Sequence, residues 1–467
     1  MLRYLIELSK YVILFFMLIY VLESFFYLFK NNHVKKKRAC IRQRIYLFAI
    51  QFLAYFTMCL RTGKIDYLFY YAFLQIVLFA ILILFEMIYS GLEGSLLNHM
   101  VLLLSIGFII LTRLDFSKAV KQFVIACGAL VMSLFVPYII KKAKFLCRWQ
   151  WLLSVMGIML LGIVLVMGQV THGSKISYTI AGITIQPSEF VKIIFVFAMA
   201  AFLGKKANFT KVAVSAVVAG IHVLLLVASR DLGSAVIFFI GYLFMLLIAT
   251  SNYLYFLLGL LSGAGASVVA YQLFAHVRVR VQAFVDPFSV IDNQGYQIAQ
   301  SLFAISCGGF FGTGLFKGIP SDIPYVESDS IFSAICEEMG VVFGICVLLI
   351  CLFSFFHFLQ TALHLKNMYY KLIASGLGVM YVFQVFLTVG GGLKFIPLTG
   401  VTLPFVSYGG SSVLTSIIWF AIMQGIVLID KEETLKDETS INESRMEDEY
   451  EDEYEEEYEE EFEYGIE

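Results

Sequence analysis

Runs of about 20 apolar residues recur along this chain and constrain its fold more than any other feature. A helix of that length crosses the hydrocarbon core of a bilayer. Hydropathy places about thirteen such runs at 4–29, 45–61, 67–88, 99–114, 119–140, 151–170, 187–204, 211–229, 232–250, 253–274, 329–357, 370–389 and 411–429. The sequence lacks the segments of alternating polarity that a transmembrane β-barrel needs. We therefore predict an all-α polytopic membrane protein, in keeping with a composition that is 60% hydrophobic and 15% charged.

The distribution of Lys and Arg predicts the orientation of these helices. After the first apolar run, the segment from Lys30 to Arg44 contains KKKR and two further arginines. Because short basic loops stay on the cytoplasmic side, we expect this loop inside and the N-terminus outside. The basic segments 141–148 and 205–211 agree with that orientation. Counting the spans then places the C-terminus inside.

This orientation brings the polar segments between the later spans to one side of the membrane. Four of them fall on the outer face, at 171–186, 229–231, 275–328 and 390–410. A site that works at the outer leaflet needs such a convergence. The segment 275–328 is the longest, and long loops in compact proteins are often functional.

The net charge of −2 hides two regions of opposite sign. Of the 35 Asp and Glu residues, 20 lie from Asp430 onward, whereas the rest of the chain has 15 acids and 30 bases. A segment with such strong like charge and few aliphatic residues is predicted to be disordered. We interpret the tail as a solvated, repelling segment. A docking tail for a basic cytoplasmic partner is the sharper alternative.

Cysteine and histidine give no sign of a metal centre. The eight Cys residues lie mostly inside apolar runs without a CxxC spacing, and the seven His residues are scattered. We interpret the cysteines as small buried apolar residues and predict neither a disulfide framework nor a protein metal site. We also expect no nucleic-acid partner.

Two charged residues open the predicted span at 187–204. Glu189 and Lys192 follow Pro187 in the motif QPSEFVK, and their spacing of three places them on one helical face. Charges within a membrane are costly, so they are candidates for function. The pair could contact a charged substrate in a polar cavity, with Lys192 suited to a phosphate. It could instead be a structural ion pair between packed helices.

Further charges lie near the outer ends of the predicted spans. Asp231 precedes an apolar run, where a structural N-cap is the better interpretation. Arg278 and Arg280 share one side of an extended chain but diverge on a helix. They could bind a pyrophosphate or anchor the chain at the interface. The sequence leaves both alternatives open.

Asp329 is the strongest candidate for chemistry. It ends the segment 275–328 where an apolar run begins, so we expect a carboxylate at a helix N-terminus. Ser328 could cap that helix, and the helix dipole favours the ionised carboxylate. An ionised Asp within reach of a hydroxyl can act as a general base. The alternative is that Asp329 only helps to start the helix.

Several motifs occur together in a characteristic order. They are QPSEFVK, DLGSA at 231–235, DPF followed by NQGYQIAQS, GGFFGTGL, SDSIFSAICEEMG, and IPLTGVTLPFVSYGGSS at 396–412. With them the chain resembles the SEDS family (shape, elongation, division and sporulation), the FtsW/RodA-like peptidoglycan glycosyltransferases. The resemblance covers about 95 to 430 and implies ten core helices. It leaves 1–94 as an extra three-helix membrane region and 431–467 as the acidic tail.

The resemblance implies an enzyme that polymerises lipid II, an undecaprenyl-pyrophosphate disaccharide-peptide. It would make β-1,4 glycan at the outer face of the bacterial plasma membrane, among membrane lipids and with a class B penicillin-binding protein. The essential acid of the family falls on Asp329, and its cavity residues fall on Glu189 and Lys192. We add Arg278, Arg280, Gln297 and Ser407 as candidate substrate-binding residues. A divalent cation, Mg²⁺ or Mn²⁺, could help to neutralise the leaving pyrophosphate.

Departures from the family pattern bear on rate or partner choice more than on activity. The usual Thr-Asp-Phe is here Ser328-Asp329-Ser330, and the usual Pro before Asp231 is Arg230. Two other functions remain open at this stage. A lipid II flippase would depend most on Glu189 and Lys192, whereas a non-catalytic scaffold for a penicillin-binding protein would depend on neither acid.

Overall fold

Long apolar segments in a membrane must satisfy their backbone hydrogen bonds internally, and in this chain they form helices. The computed structural model describes residues 2–30, 32–171, 174–180, 183–205, 208–293 and 295–464. Seventeen α-helices in these residues, α1 to α17 in chain order, cover Leu2–Leu28, His33–Thr62, Asp66–Ile88, Gly94–Leu114, Phe116–Ser133, Val136–Lys142, Gln150–Met167, Pro187–Leu203, Phe209–Ala228, Leu232–Thr250, Tyr253–Leu273, Ala275–Val285, Tyr296–Gly308, Ile331–Met339, Val341–His364, Met368–Gly392 and Gly410–Tyr464. The predicted all-helical membrane class is confirmed.

A small antiparallel sheet lies in the predicted outer segment 171–186. Its strands β1 (Gln169–Thr171), β2 (Ser174–Ile180) and β3 (Ile183–Ile185) lie in sequence order between α7 and α8. In the register, Val170 pairs with Lys175 and Tyr178 pairs with Ile185. The sheet therefore links two helices by hydrogen-bonded hairpins.

Eleven helices in the described part of the chain are long and apolar enough to cross a membrane. The remaining two predicted spans, at 151–170 and 187–204, coincide with α7 and α8. Each of the thirteen hydropathy runs therefore contains helix. The number of crossings and the orientation of the chain stay predictions.

The core of the bundle is formed by helices from both ends of the chain. In α4, every residue from Ser95 to Thr112 is buried, and α16 and α17 are buried along most of their membrane length. At the other extreme, α11 has no buried residue and packs on α10 and α12. The interior is thus well packed around α4, whereas α11 presents nearly its whole surface to its surroundings.

The predicted span 329–357 is a broken helix. Helix α14 ends at Met339, and α15 begins at Val341, because Gly340 has φ 93°. A Cβ atom there would lie 2.4 Å from the carbonyl oxygen of Phe310 and 2.6 Å from the nitrogen of Gly312. Only glycine fits this backbone crossing. The chain preceding the break, 275–328, which we predicted as one large loop, contains the helices α12 and α13.

The N-terminal three-helix region is joined to the core by buried polar contacts. Gln43 Nε2 of α2 donates to the hydroxyls of Ser24 in α1 (3.0 Å) and Ser95 in α4 (3.2 Å). Asn98 Nδ2 of α4 donates to Cys40 O (3.0 Å). Hydrogen bonds between helices resist separation in lipid, where water cannot replace them. The region 1–94 therefore packs as part of one bundle.

The predicted disorder of the acidic tail stays a prediction. In the structure, α17 continues from its buried apolar part through Tyr464. Glu has good helix propensity, and a helix that is already nucleated extends at low cost even where like charges oppose it. Near the start of the tail, Glu432 pairs with Lys141, and Lys431 Nζ donates to Gly91 O (2.7 Å). These contacts tie the start of the tail to Lys141 in α6 and to the turn between α3 and α4.

Candidate functional site

Asp329 lies just before α14 and is half-buried. The hydroxyl of Ser328 donates to Asp329 Oδ1 (3.2 Å) and to Tyr325 O (3.1 Å). The prediction that Ser328 caps the helix is wrong, because Ser330 occupies the N-cap position and makes no side-chain cap bond. The Ser328 side chain instead bonds back to the preceding turn, as a short hydroxyl side chain can. The carboxylate still lies near the positive end of the α14 dipole.

The segment before Asp329 is held by the motif at 396–412. The Ser407 hydroxyl donates to the carbonyl of Ser328 and accepts from the Leu403 amide (2.9 Å). The Tyr408 amide donates to Glu327 O (2.7 Å). Ser407 is 1% exposed, so both of its contacts are shielded from water. Its position suits a residue that orients Asp329, whereas we predicted substrate contact, which stays a prediction.

Gln122 and Lys118 of α5 also contact the two segments that meet near Asp329. Gln122 Nε2 donates to Ser407 O (3.1 Å), and its Oε1 accepts from the Gly409 amide (3.0 Å). Lys118 Nζ contacts Glu327 Oε1 at 2.5 Å. No sequence motif surrounds these two side chains, and we did not predict their contacts. Their contacts join segments far apart in sequence, so only the tertiary structure reveals them.

Arg280 faces the same carboxylate from α12. Its Nη1 donates to Thr399 O (3.1 Å), next to Gly400, at which a Cβ atom would lie 3.8 Å from Asp329 Oδ2. Burial lowers the pKa of Arg280, and the nearby charges of Asp231 and Asp329 act in the opposite direction. Arginine nevertheless stays charged, because its normal pKa lies far above neutral pH. One guanidinium thus lies in the field of two carboxylates.

Arg278 does not share this position. Arg278 and Arg280 both lie on α12, two residues and about 200° apart on the helix. Arg278 is exposed, and its Nη1 donates to Gln272 O (2.8 Å). Of the two alternatives that the sequence left open, the helical one is correct. A pyrophosphate clamp formed by both arginines would need one side chain to reorient.

A cavity of about 400 Å³ opens between the corner of α9 and α10 and the corner of α11 and α12. Arg230 and His276 line it together with the apolar Leu273 and Phe274. Burial lowers the pKa of His276, and the charges of Arg230 and Arg280 lower it further. The cavity thus has positive and apolar walls. His276 is one of the scattered histidines, and only the fold reveals its cationic neighbours.

Arg230 has a left-handed backbone with φ 63°. Proline cannot adopt this angle. The proline that the resemblance leads us to expect at position 230 would therefore require a different backbone conformation between α9 and α10. Asp231, which follows, caps α10 as predicted by accepting from the Ser234 amide (3.1 Å), and it also accepts from the Ser188 hydroxyl (3.1 Å).

Gln297 reaches the site from α13. Its Nε2 donates to the hydroxyl of Ser330 (3.0 Å), the residue directly after Asp329. Ser330 is fully buried, whereas Gln297 is half-buried. The structure therefore places Gln297 close to the predicted acid, although its role in binding stays a prediction.

Glu189 and Lys192 form the predicted pair on one face of α8, with 2.9 Å between Lys192 Nζ and Glu189. Both are buried, and Pro187 stands in the first turn as expected. Lys192 Nζ also donates to Gln384 Oε1 (2.7 Å), and the Thr415 hydroxyl donates to Glu189 Oε2 (3.2 Å). Gln384 Nε2 in turn donates to Thr402 O (3.0 Å). The pair is thus connected to the segment 396–412 through Gln384 and Thr402.

The described residues contain no group of three or more His, Cys, Asp or Glu side chains that could hold a metal ion. Asp329 and Asp231 both act electrostatically on Arg280, and two carboxylates do not form a protein cage for a cation. Mg²⁺ often binds through one or two carboxylates together with substrate phosphates. The residues here would fit only a cation held largely by the substrate.

Most of the chain is similar to known proteins. The FtsW, RodA and SpoVE family, described as cell cycle proteins, matches residues 93–432. The peptidoglycan glycosyltransferase RodA of Mycobacterium tuberculosis is 34% identical over 325 residues, covering 64% of this chain and 68% of that protein. The RodA protein of Mycobacterium leprae is 31% identical and covers 72% of this chain and 77% of its own length.

A second group of relatives is named FtsW. The probable peptidoglycan glycosyltransferase FtsW of Hydrogenovibrio crunogenus is 32% identical, covering 67% of this chain and 83% of that protein. Among solved structures, a chain of a peptidoglycan synthase complex that coordinates polymerization and crosslinking has a TM-score of 0.62 at 24% identity, covering 74% of this chain and 99% of that chain. Thermus thermophilus RodA has a TM-score of 0.55 at 21% identity, and the match covers 74% of this chain and 98% of that chain. These two structures share the fold.

Proposed function

Because the chain belongs to the FtsW, RodA and SpoVE family, as a multi-pass membrane peptidoglycan glycosyltransferase, we propose that it polymerises lipid II into β-1,4 glycan at the outer face of the bacterial cytoplasmic membrane. The observation that carries this proposal is the arrangement around Asp329. A half-buried carboxylate is held by two loops and lies in the field of Arg280. One turn earlier on α12, His276 lines a cavity that Arg230 and apolar residues complete. Such a site suits a sugar pyrophosphate attached to a lipid.

In the proposed reaction, Asp329 acts as general base. It takes the proton from a hydroxyl of the acceptor sugar as that oxygen attacks the anomeric carbon of the donor. The new glycosidic bond forms as the bond from this carbon to the pyrophosphate breaks, and the leaving lipid pyrophosphate keeps the electron pair. One displacement inverts an α-linked donor to a β-linked product. The contacts from Ser328 and Ser407 would hold the base in place during this step.

The leaving pyrophosphate needs positive charge more than it needs a proton. Arg280 lies in the field of Asp329, and Arg230 lines the nearby cavity next to His276, whose lowered pKa leaves it neutral. Fixed cations stabilise charge that develops in the transition state. Arg278 could join them if its side chain reoriented. Mg²⁺ or Mn²⁺ bound with the pyrophosphate would add Lewis-acid charge at the same place.

Lys192 has a different proposed role. It is fully buried and bonded to Glu189 and Gln384, so it has no direct access to a substrate at the outer face. Through Gln384 it supports the backbone at Thr402. We therefore assign Glu189 and Lys192 to positioning of the segment 396–412, in preference to phosphate binding.

The proposed partner is a class B penicillin-binding protein. Glycan strands must be cross-linked after they are polymerised, and the similar synthase complex is named for coordinating both reactions. An apolar protein surface in the membrane can accept a partner helix by close packing. The undecaprenyl chains of donor and acceptor would stay among the membrane lipids while their sugars reach Asp329.

The test measures glycan polymerisation from purified lipid II by the chain with a candidate class B partner. We expect polymer from the native chain and at least a 10²-fold loss for Asp329→Asn. Asp292→Asn is the matched control, because Asp292 is an exposed acid in the same outer segment. Its activity should stay near that of the native chain.

Each other outcome has a consequence. Equal polymer from Asp329→Asn and the native chain would keep the enzyme but remove Asp329 as the base. No polymer from a folded native complex would contradict the proposal and direct attention to lipid flipping, which Glu189 and Lys192 would then govern. If lipid II flipping were also absent, a scaffold function would be left.

A further inference from the structure

Helix α1 lies before the part of the chain that matches the family, yet it contacts the outer segment near the proposed site. Glu7, Lys10 and Tyr11 have the spacing of one helical face. Each contacts the loop 309–318. Glu7 pairs with Lys317, Lys10 Nζ donates to Gly312 O (2.9 Å), and the ring centroids of Tyr11 and Phe311 lie 5.8 Å apart. One turn of α1 thus holds both halves of this loop.

The loop 309–318 is bound in turn to the broken helix that follows Asp329. The amides of Thr313 and Gly314 donate to the carbonyls of Glu337 (2.9 Å) and Glu338 (2.8 Å) at the end of α14. The Val341 amide, which begins α15, donates to Gly309 O (2.9 Å). These bonds cross the break between the two helices. Movement of the loop would therefore move α14.

Arg113 of α4 connects the same elements to the core. Its Nε contacts Glu338 Oε1 at 2.7 Å, and its Nη2 donates to Gly318 O (3.0 Å). The guanidinium also lies 4.6 Å from the ring centroid of Phe316. The loop is thus held between α1 on one side and α4 on the other, with α14 bonded to it.

We propose that α1 is a built-in positioning element of the glycosyltransferase site, which clamps the loop 309–318 and thereby sets the position of α14 and Asp329. The inference rests on the proposed function. Helix α14 has nine residues and Asp329 lies two residues before it, so a shift of the helix is transmitted directly to the carboxylate. A misplacement of about 1 Å can cost about 10²-fold in rate.

The opposite end of α1 offers a matched control. Glu23 pairs there with Lys30 (2.6 Å) and Arg42 (2.7 Å) and has no contact with the loop. Glu23→Gln would weaken the attachment of α1 to α2 without altering the clamp. It distinguishes a general loss of α1 packing from a loss of the contact that the proposal requires.

The test compares Glu7→Lys, Lys317→Glu and the double variant that exchanges the two charges. We expect each single variant to lower kcat about tenfold with less than a twofold change in KM, because substrate contacts remain. The double variant should regain activity to within about threefold of the native chain. Glu23→Gln should keep the native kcat. Unchanged kcat in both single variants, or a double variant as slow as the singles, would overturn the proposal.

Hydrogen–deuterium exchange of the peptide 325–335 supplies a readout that does not depend on polymerisation. Its amides should exchange faster in the single variants and recover in the double variant. If the native chain made no polymer, the proposed function would fail, but this exchange pattern would still decide whether α1 positions α14. Unchanged exchange in all variants would contradict the clamp.

Discussion

Two pairs of opposite charges in this molecule have very different surroundings. Glu189 and Lys192 are buried inside the bundle, 5% and 0% exposed. The Thr415 hydroxyl donates to Glu189, and Gln384 accepts from Lys192. Asp329 lies just before α14 and Arg280 on α12, and both are half-buried. The first pair, the inner pair, is enclosed by protein, whereas the second, the outer pair, is partly exposed.

The difference separates a structural use of charge from a chemical one. Taking an ion pair out of water costs free energy that only fixed partners repay, so the inner pair is rigid and poorly suited to exchange partners with a substrate. The outer pair is partly exposed and therefore keeps contact with water. A polymerase would depend on the outer pair for chemistry and on the inner pair for stability. A transporter would use the inner pair directly.

Removing one member of the inner pair should have the largest effect on stability. Lys192→Met leaves Glu189 buried without its cation and should lower the free energy of unfolding by about 3–5 kcal/mol. Thermal unfolding in detergent would show this as a lower Tm. The double variant Glu189→Gln with Lys192→Met should recover most of the loss. A stable single variant that binds lipid II normally but fails to move it would show that the inner pair acts on the substrate.

Arg280→Ala should sharpen the role of the outer pair. We expect kcat/KM to fall about 10²-fold, because one fixed donor toward the leaving group is lost, while Tm changes little. Arg280→Lys should retain part of the activity, since it keeps the charge but loses the planar fork. Arg61→Ala, at the end of α2, is the control for a lost arginine. A collapse of Tm in Arg280→Ala would assign this residue to the fold.

The smallest expected effect concerns the hydrogen bond that orients the acid. Ser407→Ala removes the contact to the Ser328 carbonyl, worth about 1 kcal/mol, and should lower kcat about fivefold without raising KM. Ser289→Ala, a serine whose hydroxyl bonds Asp286 O in the exposed segment, is the control. A raised KM with an unchanged kcat would favour direct substrate binding by Ser407.

Local sequence was sufficient for much of the fold and for part of the site. The spacing of Glu189 and Lys192 predicted one face, and Asp231 and Pro187 occupy the helix-start positions expected of them. The cap at α14 was assigned to the wrong serine, and Arg278 separated from Arg280 once α12 proved helical. Neither the break at Gly340 nor the contacts of Lys118 and Gln122 could be predicted, since they depend on chain segments far apart in sequence.

Hydropathy alone determined that this chain is a helical membrane protein, because a backbone in lipid must bond to itself. The sequence also marked Asp329, since a carboxylate at the edge of an apolar run is costly unless something holds it. Only the tertiary structure decided which charges are enclosed and which are partly exposed, because burial depends on neighbours from distant helices. It likewise brought α1 against the loop 309–318, a contact between residues about 300 positions apart.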